Sequence, residues 1–410
     1  MPDTAAASNW RLDTIEGGVT APGGFRAAGV SCGIKAAGLD FAAIVPDGAA
    51  SAAGLFTTSL AQAAPVVLSR QHLLQSGGLA RAVLVNSGCA NACTGVEGDA
   101  VARATADLAA RELGCPPAQV LVASTGVIGV TLDLNKIAGG LRAGFASLSD
   151  EGGHTAALAI MTTDVSPKET AVRVDTPRGA FRVGGMAKGA GMIEPFMATM
   201  IAVVTCDARV EPAMLRRAVI AVTSDTFNAI TVDGECSTND SIFVLANGHS
   251  GVEVDDDLYP ALLEGLRAVC RHLALEIVRG GEGATKLVTI RVTGALELSE
   301  ARRAARTIAN SPLVKTAVHG GDPNWGRLVA AAARAGVPFD LARASVAIGP
   351  VVLFRNGQPH DEAAPDAARY LRGREVTLHV DLGAGGTREA TVWTCDLSAE
   401  YVRINAEYRT

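Results

Sequence analysis

Residues 188–200 have the sequence K-G-A-G-M-I-E-P-F-M-A-T-M. A segment containing glycine and proline leads directly into the apolar run 200–205, a pattern typical of a buried strand. Thr199 therefore stands at the first position of a predicted strand, where its side chain would be held rigidly. Taken alone, Ala198-Thr199-Met200 predicts no more than the start of that strand, because Thr is common in strands.

A cut between Ala198 and Thr199 would give Thr199 both a hydroxyl and a free α-amino group. The pKa of an α-amino group lies at about 7.7 to 8, so this amine can act as a general base near neutral pH. The hydroxyl can also make the cut, by attacking the Ala198 carbonyl in an N-to-O acyl shift before water hydrolyses the ester. The small side chain of Ala198 leaves room for that attack.

Composition and charge favour a globular protein and argue against a nucleic-acid or membrane partner. The chain has 410 residues, of which 48% are hydrophobic and 19% charged, as expected of a soluble globular protein. Its net charge of −6 and scattered Lys and Arg give no basic stripe, so we expect no nucleic-acid partner. No apolar run approaches the ~20 residues of a membrane helix, and residues 1–17 lack signal-peptide features. We expect a cytoplasmic protein with no membrane partner.

Motifs for metals and nucleotides are missing from the sequence. The eight cysteines are interpreted as buried thiols, and the C-A-N-A-C pair Cys89 and Cys93 lacks a second pair at zinc-site spacing. Neither G-x-G-x-x-G nor G-x-x-x-x-G-K-[ST] occurs, and R-G-G-E-G-A-T-K at 279–286 has the wrong spacing for a phosphate loop. We therefore expect no metal and no organic cofactor.

Hydrophobic patterning predicts a layered α+β fold with mixed, largely antiparallel sheets and helices outside. Two runs, 170–174 and 181–183, predict a hairpin across P-R-G, and strands do not alternate one for one with helices. Predicted strands are 41–45, 82–86, 119–123, 170–174, 200–205, 241–246, 287–292, 345–353 and 376–380. Predicted helices are 99–113, 135–148, 212–224, 257–279, 299–310 and 362–371.

Ordered sequence blocks along nearly the whole chain resemble the ornithine acetyltransferase family, also called bifunctional glutamate N-acetyltransferases. Two departures are Cys89, where Asn is expected, and Glu235-Cys236, where Asp-Thr is usual; neither touches a matched catalytic position. Besides 188–200, the blocks are G-V-T-A-P-G-G-F (18–25), V-N-S-G-C-A-N-A-C-T-G (85–95), A-S-T-G-V-I-G (123–129), I-M-T-T-D (160–164), T-F-N-A-I-T-V-D-G-E-C-S-T-N-D (226–240), G-E-G-A-T-K (281–286), H-G-G-D-P-N-W-G-R (319–327) and N-A-E-Y-R-T (405–410).

The resemblance implies a layered α/β/β/α, self-processing fold of the N-terminal-nucleophile-like, DmpA-like type. Cleavage would give an α chain, 1–198, and a β chain, 199–410, which together build one core and one active site. The fragments would associate as an α2β2 heterotetramer.

The implied activity is acetyl transfer from N2-acetyl-L-ornithine to L-glutamate through acetyl-Thr199, in the cyclic route of arginine biosynthesis. Whether acetyl-coenzyme A is also a donor stays open. Alternatives are a self-cleaving aminopeptidase or amidohydrolase, in which water resolves the acyl-enzyme, and a non-catalytic binding protein that keeps the fold.

The family's site residues map onto this chain one by one. Thr125 and Gly126 would stabilise the oxyanion, although S-T-G alone is only a turn signal after strand 119–123. Lys188 suits a substrate α-carboxylate, and Glu282 suits the δ-ammonium of ornithine. The block D-P-N-W-G-R predicts a rigid turn that opens a helix. The full set of implied substrate contacts is Thr162, Lys188, Thr199, Glu282, Asn405 and Thr410.

Overall fold

The computed structural model describes residues 9–194 and 200–407. Three residues with predicted roles, Ala198, Thr199 and Thr410, lie outside the described residues. The strands are β1 (Arg11–Ile15), β2 (Phe25–Val30), β3 (Phe41–Pro46), β4 (Ala50–Phe56), β5 (Leu79–Ala80), β6 (Ala82–Cys89), β7 (Val120–Val127), β8 (Lys168–Thr176), β9 (Gly179–Lys188), β10 (Ile201–Cys206), β11 (Ser241–Ala246), β12 (Leu287–Ala295), β13 (Ser345–Ile348), β14 (Val351–Arg355), β15 (Gln358–Pro359), β16 (Glu375–Asp381) and β17 (Arg388–Cys395). The α-helices are α1 (Ala64–Gln75), α2 (Gly95–Leu113), α3 (Leu134–Ala146), α4 (Gly153–Ala159), α5 (Pro212–Thr223), α6 (Tyr259–Arg279), α7 (Leu298–Ala309), α8 (Pro312–Gly320), α9 (Trp325–Ala333), α10 (Ala364–Tyr370) and α11 (Ala399–Glu407).

Two sheets pack face to face and form the centre of the molecule. In the described part of the chain, the first sheet has the strand order β1-β8-β9-β10-β11-β4-β5 and the second β2-β3-β6-β7. The buried side chains between them include Phe25, Ile44, Met186, Val203 and Phe243. Alternate residues of β10 point into this interface and away from it, as the period of a strand requires.

Helices cover the outer faces of both sheets. Helices α5 and α6 pack on the first sheet, where Leu215 and Leu266 lie in one cluster with Val204. On the second sheet, α2 and α3 bury Ala106 and Ile137 in a cluster with strand residues of β6 and β7. This arrangement confirms the predicted α/β/β/α layering. Pairs β10–β11 and β6–β7 are parallel, whereas β8–β9 is the predicted antiparallel hairpin.

A third sheet, with strand order β15-β14-β13-β16-β12-β17 among the described residues, has a core of its own with α7 and α9. We call this part, residues 287–395, the C-terminal lobe. Its separate core was not predicted from the sequence. The single predicted strand 345–353 is wrong, because Gly349 adopts a φ of +57° and the chain reverses there between β13 and β14.

The D-P-N-W-G-R block opens helix α9, as predicted. The Asn324 side chain accepts a hydrogen bond from Arg327 N and caps the helix. Trp325 stacks on Phe354 with ring centroids 5.0 Å apart and donates from Nε1 to Asp361 at 2.9 Å. The block therefore packs inside the C-terminal lobe.

Across the described residues, no helix is both long enough and apolar enough to cross a membrane.

Candidate functional site

The candidate site lies at the edge of the sandwich where β9 and β7 end and β10 and β11 begin. Ile201, the first residue of β10, pairs with Lys188 on one side and Ser241 on the other. Lys188 is 2% exposed, and its Nζ donates to Thr125 Oγ1 at 3.2 Å, which links the two sheets. Two predicted site residues that are 63 positions apart are thereby in direct contact.

Gly126 lies inside a strand, so the predicted turn at this position is wrong. Strand β7 continues to Val127 because its parallel pairing with β6 persists through Gly88, where the register shifts. Gly126 has a φ of +127°, and a Cβ there would lie 2.4 Å from the carbonyl carbon of Gly88. A side chain would fit here only if the backbone moved, and glycine leaves the backbone at this position unobstructed.

Asn239 holds the end of β7 in place, although sequence analysis gave it no role. Its Nδ2 donates to Ser124 O at 2.8 Å and to Ala90 O at 2.6 Å. The signal that could have found it is its place in the 226–240 block, just before β11. Buried amides with two acceptors of this kind fix backbone position.

A buried carboxylate joins the Thr162 and Lys188 segments. Asp164 accepts hydrogen bonds from Thr162 N at 3.1 Å, Gly189 N at 2.7 Å and Lys168 Nζ at 2.6 Å. Burial by itself raises the pKa of Asp164, but the charges of Lys188 and Lys168 and the hydrogen bonds hold it below its usual value. Asp164 is therefore a carboxylate at neutral pH.

Opposing effects shift the pKa of Lys188. Burial lowers the pKa of Lys188, because the ammonium loses its hydration, and the Asp164 carboxylate opposes that shift. When Lys188 carries a proton, its ammonium attracts a carboxylate strongly, since little water screens the interaction.

Glu282 and Asn405 form a second contact between predicted site residues. Asn405 Nδ2 donates to Glu282 Oε2 at 2.8 Å, and Glu282 is only 7% exposed. The Glu282 backbone N–H donates to Ala190 O at 2.8 Å, which places this loop against the segment that follows Lys188. Gly191 lies under the carboxylate, since a Cβ there would be 2.6 Å from Oε2.

The described residues on either side of 195–199 are tethered to one block of sequence. Before the gap, Asp233 accepts from Met192 N at 2.7 Å and Ile193 N at 2.9 Å. After it, Asp240 accepts from Met200 N at 3.0 Å and is fully buried, which raises its pKa well above the usual value. Neither aspartate was predicted as a site residue, although both lie in the 226–240 block.

Comparison with known proteins gives the family. The model of the ArgJ family matches residues 26–410. The chain belongs to the ArgJ family. It is 49% identical to the arginine biosynthesis bifunctional protein ArgJ of Thermosynechococcus vestitus, over 98% of this chain and 100% of that protein. It is 50% identical to the arginine biosynthesis bifunctional protein ArgJ of Symbiobacterium thermophilum, over 97% of this chain and 100% of that protein. As an ArgJ family member, the protein is an acyltransferase of arginine biosynthesis.

Solved structures of similar sequence include two of this family. A Bacillus halodurans ArgJ is 39% identical, with a TM-score of 0.48, over 50% of this chain and 97% of that one. A Mycobacterium tuberculosis ornithine acetyltransferase in complex with ornithine is 42% identical, with a TM-score of 0.42, over 45% of this chain and 98% of that one.

Replacing Asp164 with Asn should destabilise this ArgJ family protein. Lys168 and Lys188 would lose the carboxylate that compensates their buried charges, and breaking a buried pair costs about 3 kcal/mol or more. Urea unfolding at pH 7 measures the loss. Because the pKa of Asp164 is lowered by folding, its contribution is complete above the usual Asp pKa and disappears as pH falls through the folded value. The stability difference between the two proteins should therefore shrink in acid.

The matched control is Asp175→Asn, which removes an exposed partner of Arg173. Exposed pairs contribute little, so its unfolding curve should overlay the wild type. An Asp164→Asn protein as stable as this control would show that the buried carboxylate does not hold the site together.

Proposed function

We propose that the protein is a glutamate N-acetyltransferase that cuts its own chain between Ala198 and Thr199. It then moves the acetyl group of N2-acetyl-L-ornithine to L-glutamate through acetyl-Thr199. The observation that carries the proposal is the contact between Lys188 Nζ and Thr125 Oγ1. This contact lies next to the start of β10, because Lys188 pairs with Ile201. Thr199 is joined by its peptide bond to Met200, whose N–H is held by Asp240.

In the first step, Thr199 Oγ attacks the acetyl carbonyl while the α-amine of Thr199 takes the hydroxyl proton. Negative charge develops on the carbonyl oxygen, and Thr125 and Gly126 would stabilise it. Thr125 Oγ1 accepts from Lys188, so its own O–H is free to donate to that oxygen. The C–N bond then breaks, the amine returns the proton to the leaving nitrogen, and ornithine departs.

In the second step, the α-amine of glutamate attacks the acetyl ester. The same donors would hold the oxyanion, and the proton of the attacking amine passes through the Thr199 amine to its hydroxyl. N-acetyl-L-glutamate leaves and the enzyme is restored, so the cycle consumes no cofactor.

The charges of the site support binding of an N-acetylated amino acid. Lys188 is a buried amine that suits an α-carboxylate when it is protonated, and Glu282 with Asn405 offers an anion and an amide to the far end of the substrate. The amide could donate to the γ-carboxylate of glutamate in the second step. Thr162 and Thr410 are two further predicted substrate contacts.

Several finer points stay predictions. Fragments 1–198 and 199–410 should remain associated, which is supported by the interleaving of β9, β10 and β4 in the first sheet. The α2β2 assembly and a cytoplasmic location are expectations. Use of acetyl-coenzyme A as a second donor is supported only by the description of the relatives as bifunctional.

A Glu282→Gln variant should bind N-acetylornithine more weakly. A hydrogen bond to a charged group contributes about 1.5 to 3 kcal/mol, so KM should rise roughly 10- to 100-fold. Steady-state release of ornithine measures the change, and Glu362→Gln, an exposed glutamate of the C-terminal lobe, is the control. If ornithine release were spared while glutamate no longer bound, Glu282 would instead serve the acceptor.

The activity is tested with N-acetylornithine that carries a labelled acetyl group. With glutamate present, label should appear in N-acetylglutamate in a one-to-one ratio with released ornithine. If label appeared only as free acetate, the protein would be an amidohydrolase and the proposal would fail.

A further inference from the structure

A cluster of side chains around Asp396 lies outside the contacts described so far. Asp396 directly follows β17 and is 2% exposed. His319, at the end of α8, has its Nδ1 2.7 Å from Asp396 Oδ2, and Thr285 Oγ1 donates to the same oxygen at 2.5 Å. The other oxygen accepts from Thr285 N at 2.8 Å and Lys286 N at 2.9 Å. Asp396 is thus the centre of four hydrogen bonds.

Three of the four hydrogen bonds of Asp396 come from the loop that carries Glu282, and the fourth involves His319 on α8. Thr285 and Lys286 are the last residues of the G-E-G-A-T-K block before β12. The chain after Asp396 contacts the same loop again, since Ser398 Oγ donates to Gly283 O at 2.6 Å. Helix α11 then contributes the Asn405 bond to Glu282. Residues 396–405 therefore follow the loop from end to end.

Gly283 shows how closely the two segments approach. Its φ is +68°, and a Cβ there would lie 2.4 Å from Tyr401 N. No side chain fits between the loop and the start of α11, so a shift of either segment is transmitted to the other.

The negative charge of the Asp396 carboxylate strengthens its hydrogen bonds. Burial by itself raises the pKa of Asp396, but its hydrogen bonds with Thr285, His319 and the two backbone N–H groups bring it below the usual value. The group is a carboxylate at neutral pH, and hydrogen bonds to an ionised acceptor are about twice as strong as neutral ones.

We propose that Asp396, together with His319 and Thr285, is a positioning residue that holds the Glu282 carboxylate in place to receive the substrate. This inference rests on the proposed function and assigns a role to His319 of the H-G-G-D-P-N-W-G-R block. Asp396 acts through the loop: its described hydrogen bonds go to Thr285, Lys286 and His319 and to neither Lys188 nor Thr125. Its loss should therefore weaken substrate binding more than it slows acetyl transfer.

The test compares Asp396→Asn with the wild-type protein in steady-state kinetics. KM for N-acetylornithine should rise about tenfold while kcat stays within about threefold, because one charged acceptor is lost. Asp361→Asn is the control, since Asp361 lies in the C-terminal lobe and accepts a hydrogen bond from Trp325 instead. A fall in kcat with KM unchanged would overturn the proposal.

Coupling to Glu282 separates positioning from a merely structural role. In a Glu282→Gln background, Asp396→Asn should add little further loss, because both changes act on the same contact. If the two effects multiplied, Asp396 would act independently of Glu282 and the proposal would be wrong.

A second pair of variants covers the case in which Asp396→Asn fails to fold. Thr285→Ser keeps a hydroxyl for Asp396 Oδ2 and should behave like the wild type, whereas Thr285→Val should raise KM. Equal KM values for Ser and Val would contradict the proposal. Failure of the proposed function looks different, because the wild-type protein would then form no N-acetylglutamate.

Discussion

A Thr199→Ala variant is expected to remain one 41.9-kDa chain and to lose acetyl transfer. Alanine has no hydroxyl to attack either the Ala198 carbonyl or the acetyl group. Removing a nucleophile of covalent catalysis lowers kcat by at least about 10³-fold. Denaturing electrophoresis measures the first effect and N-acetylglutamate formation the second.

Thr199→Ser is the matched control for that variant. Serine keeps the hydroxyl and loses only a methyl group, so cleavage and transfer should both persist at a reduced rate. A Thr199→Ala protein that is cut between residues 198 and 199, or that still transfers acetyl groups, would exclude Thr199 as the nucleophile.

A Gly126→Ala variant should fold but transfer acetyl groups about 10²- to 10³-fold more slowly, the usual effect of losing an oxyanion donor. The added Cβ would lie 2.4 Å from the carbonyl carbon of Gly88. Because the contact is with backbone, β7 must move, and Thr125 and the N–H of residue 126 must move with it. The measurement is kcat at saturating N-acetylornithine and glutamate.

Gly129→Ala serves as the control, because Gly129 also has a positive φ, +80°, but no atom within 4 Å of the added Cβ. Backbone strain alone costs of order 1–3 kcal/mol in stability and should leave kcat unchanged. If both variants lost kcat equally, backbone strain in the segment would explain the result and Gly126 would have no specific role in stabilising the oxyanion.

Local patterns predicted most strands and helices of the sandwich. The run at β11 matched residue for residue, and the hairpin β8–β9 followed from P-R-G between two alternating runs. Patterns of this kind report which residues are buried, but not which sheet a strand joins. The third sheet was missed for that reason, because the apolar runs at β12, β13 and β16 do not show that these strands pair with one another.

The candidate site was predictable only in part. The resemblance named Lys188, Thr125, Glu282 and Asn405, and the structure brings these residues together as two contacting pairs. Without the resemblance, Glu282 would be interpreted as an exposed surface charge. The aspartates that hold these segments, such as Asp164, bind backbone N–H groups from distant positions, and no spacing in the sequence encodes such contacts.

The acetyl-Thr199 intermediate is tested by mass spectrometry of peptides from the wild-type protein after brief incubation with N-acetylornithine and no glutamate. We expect a peptide that begins Thr199-Met200-Ile201 and carries an acetyl group on the Thr199 hydroxyl, which disappears when glutamate is added. A peptide that spans an intact Ala198–Thr199 bond in active protein would exclude this mechanism. So would an unmodified Thr199 in protein that nevertheless forms N-acetylglutamate.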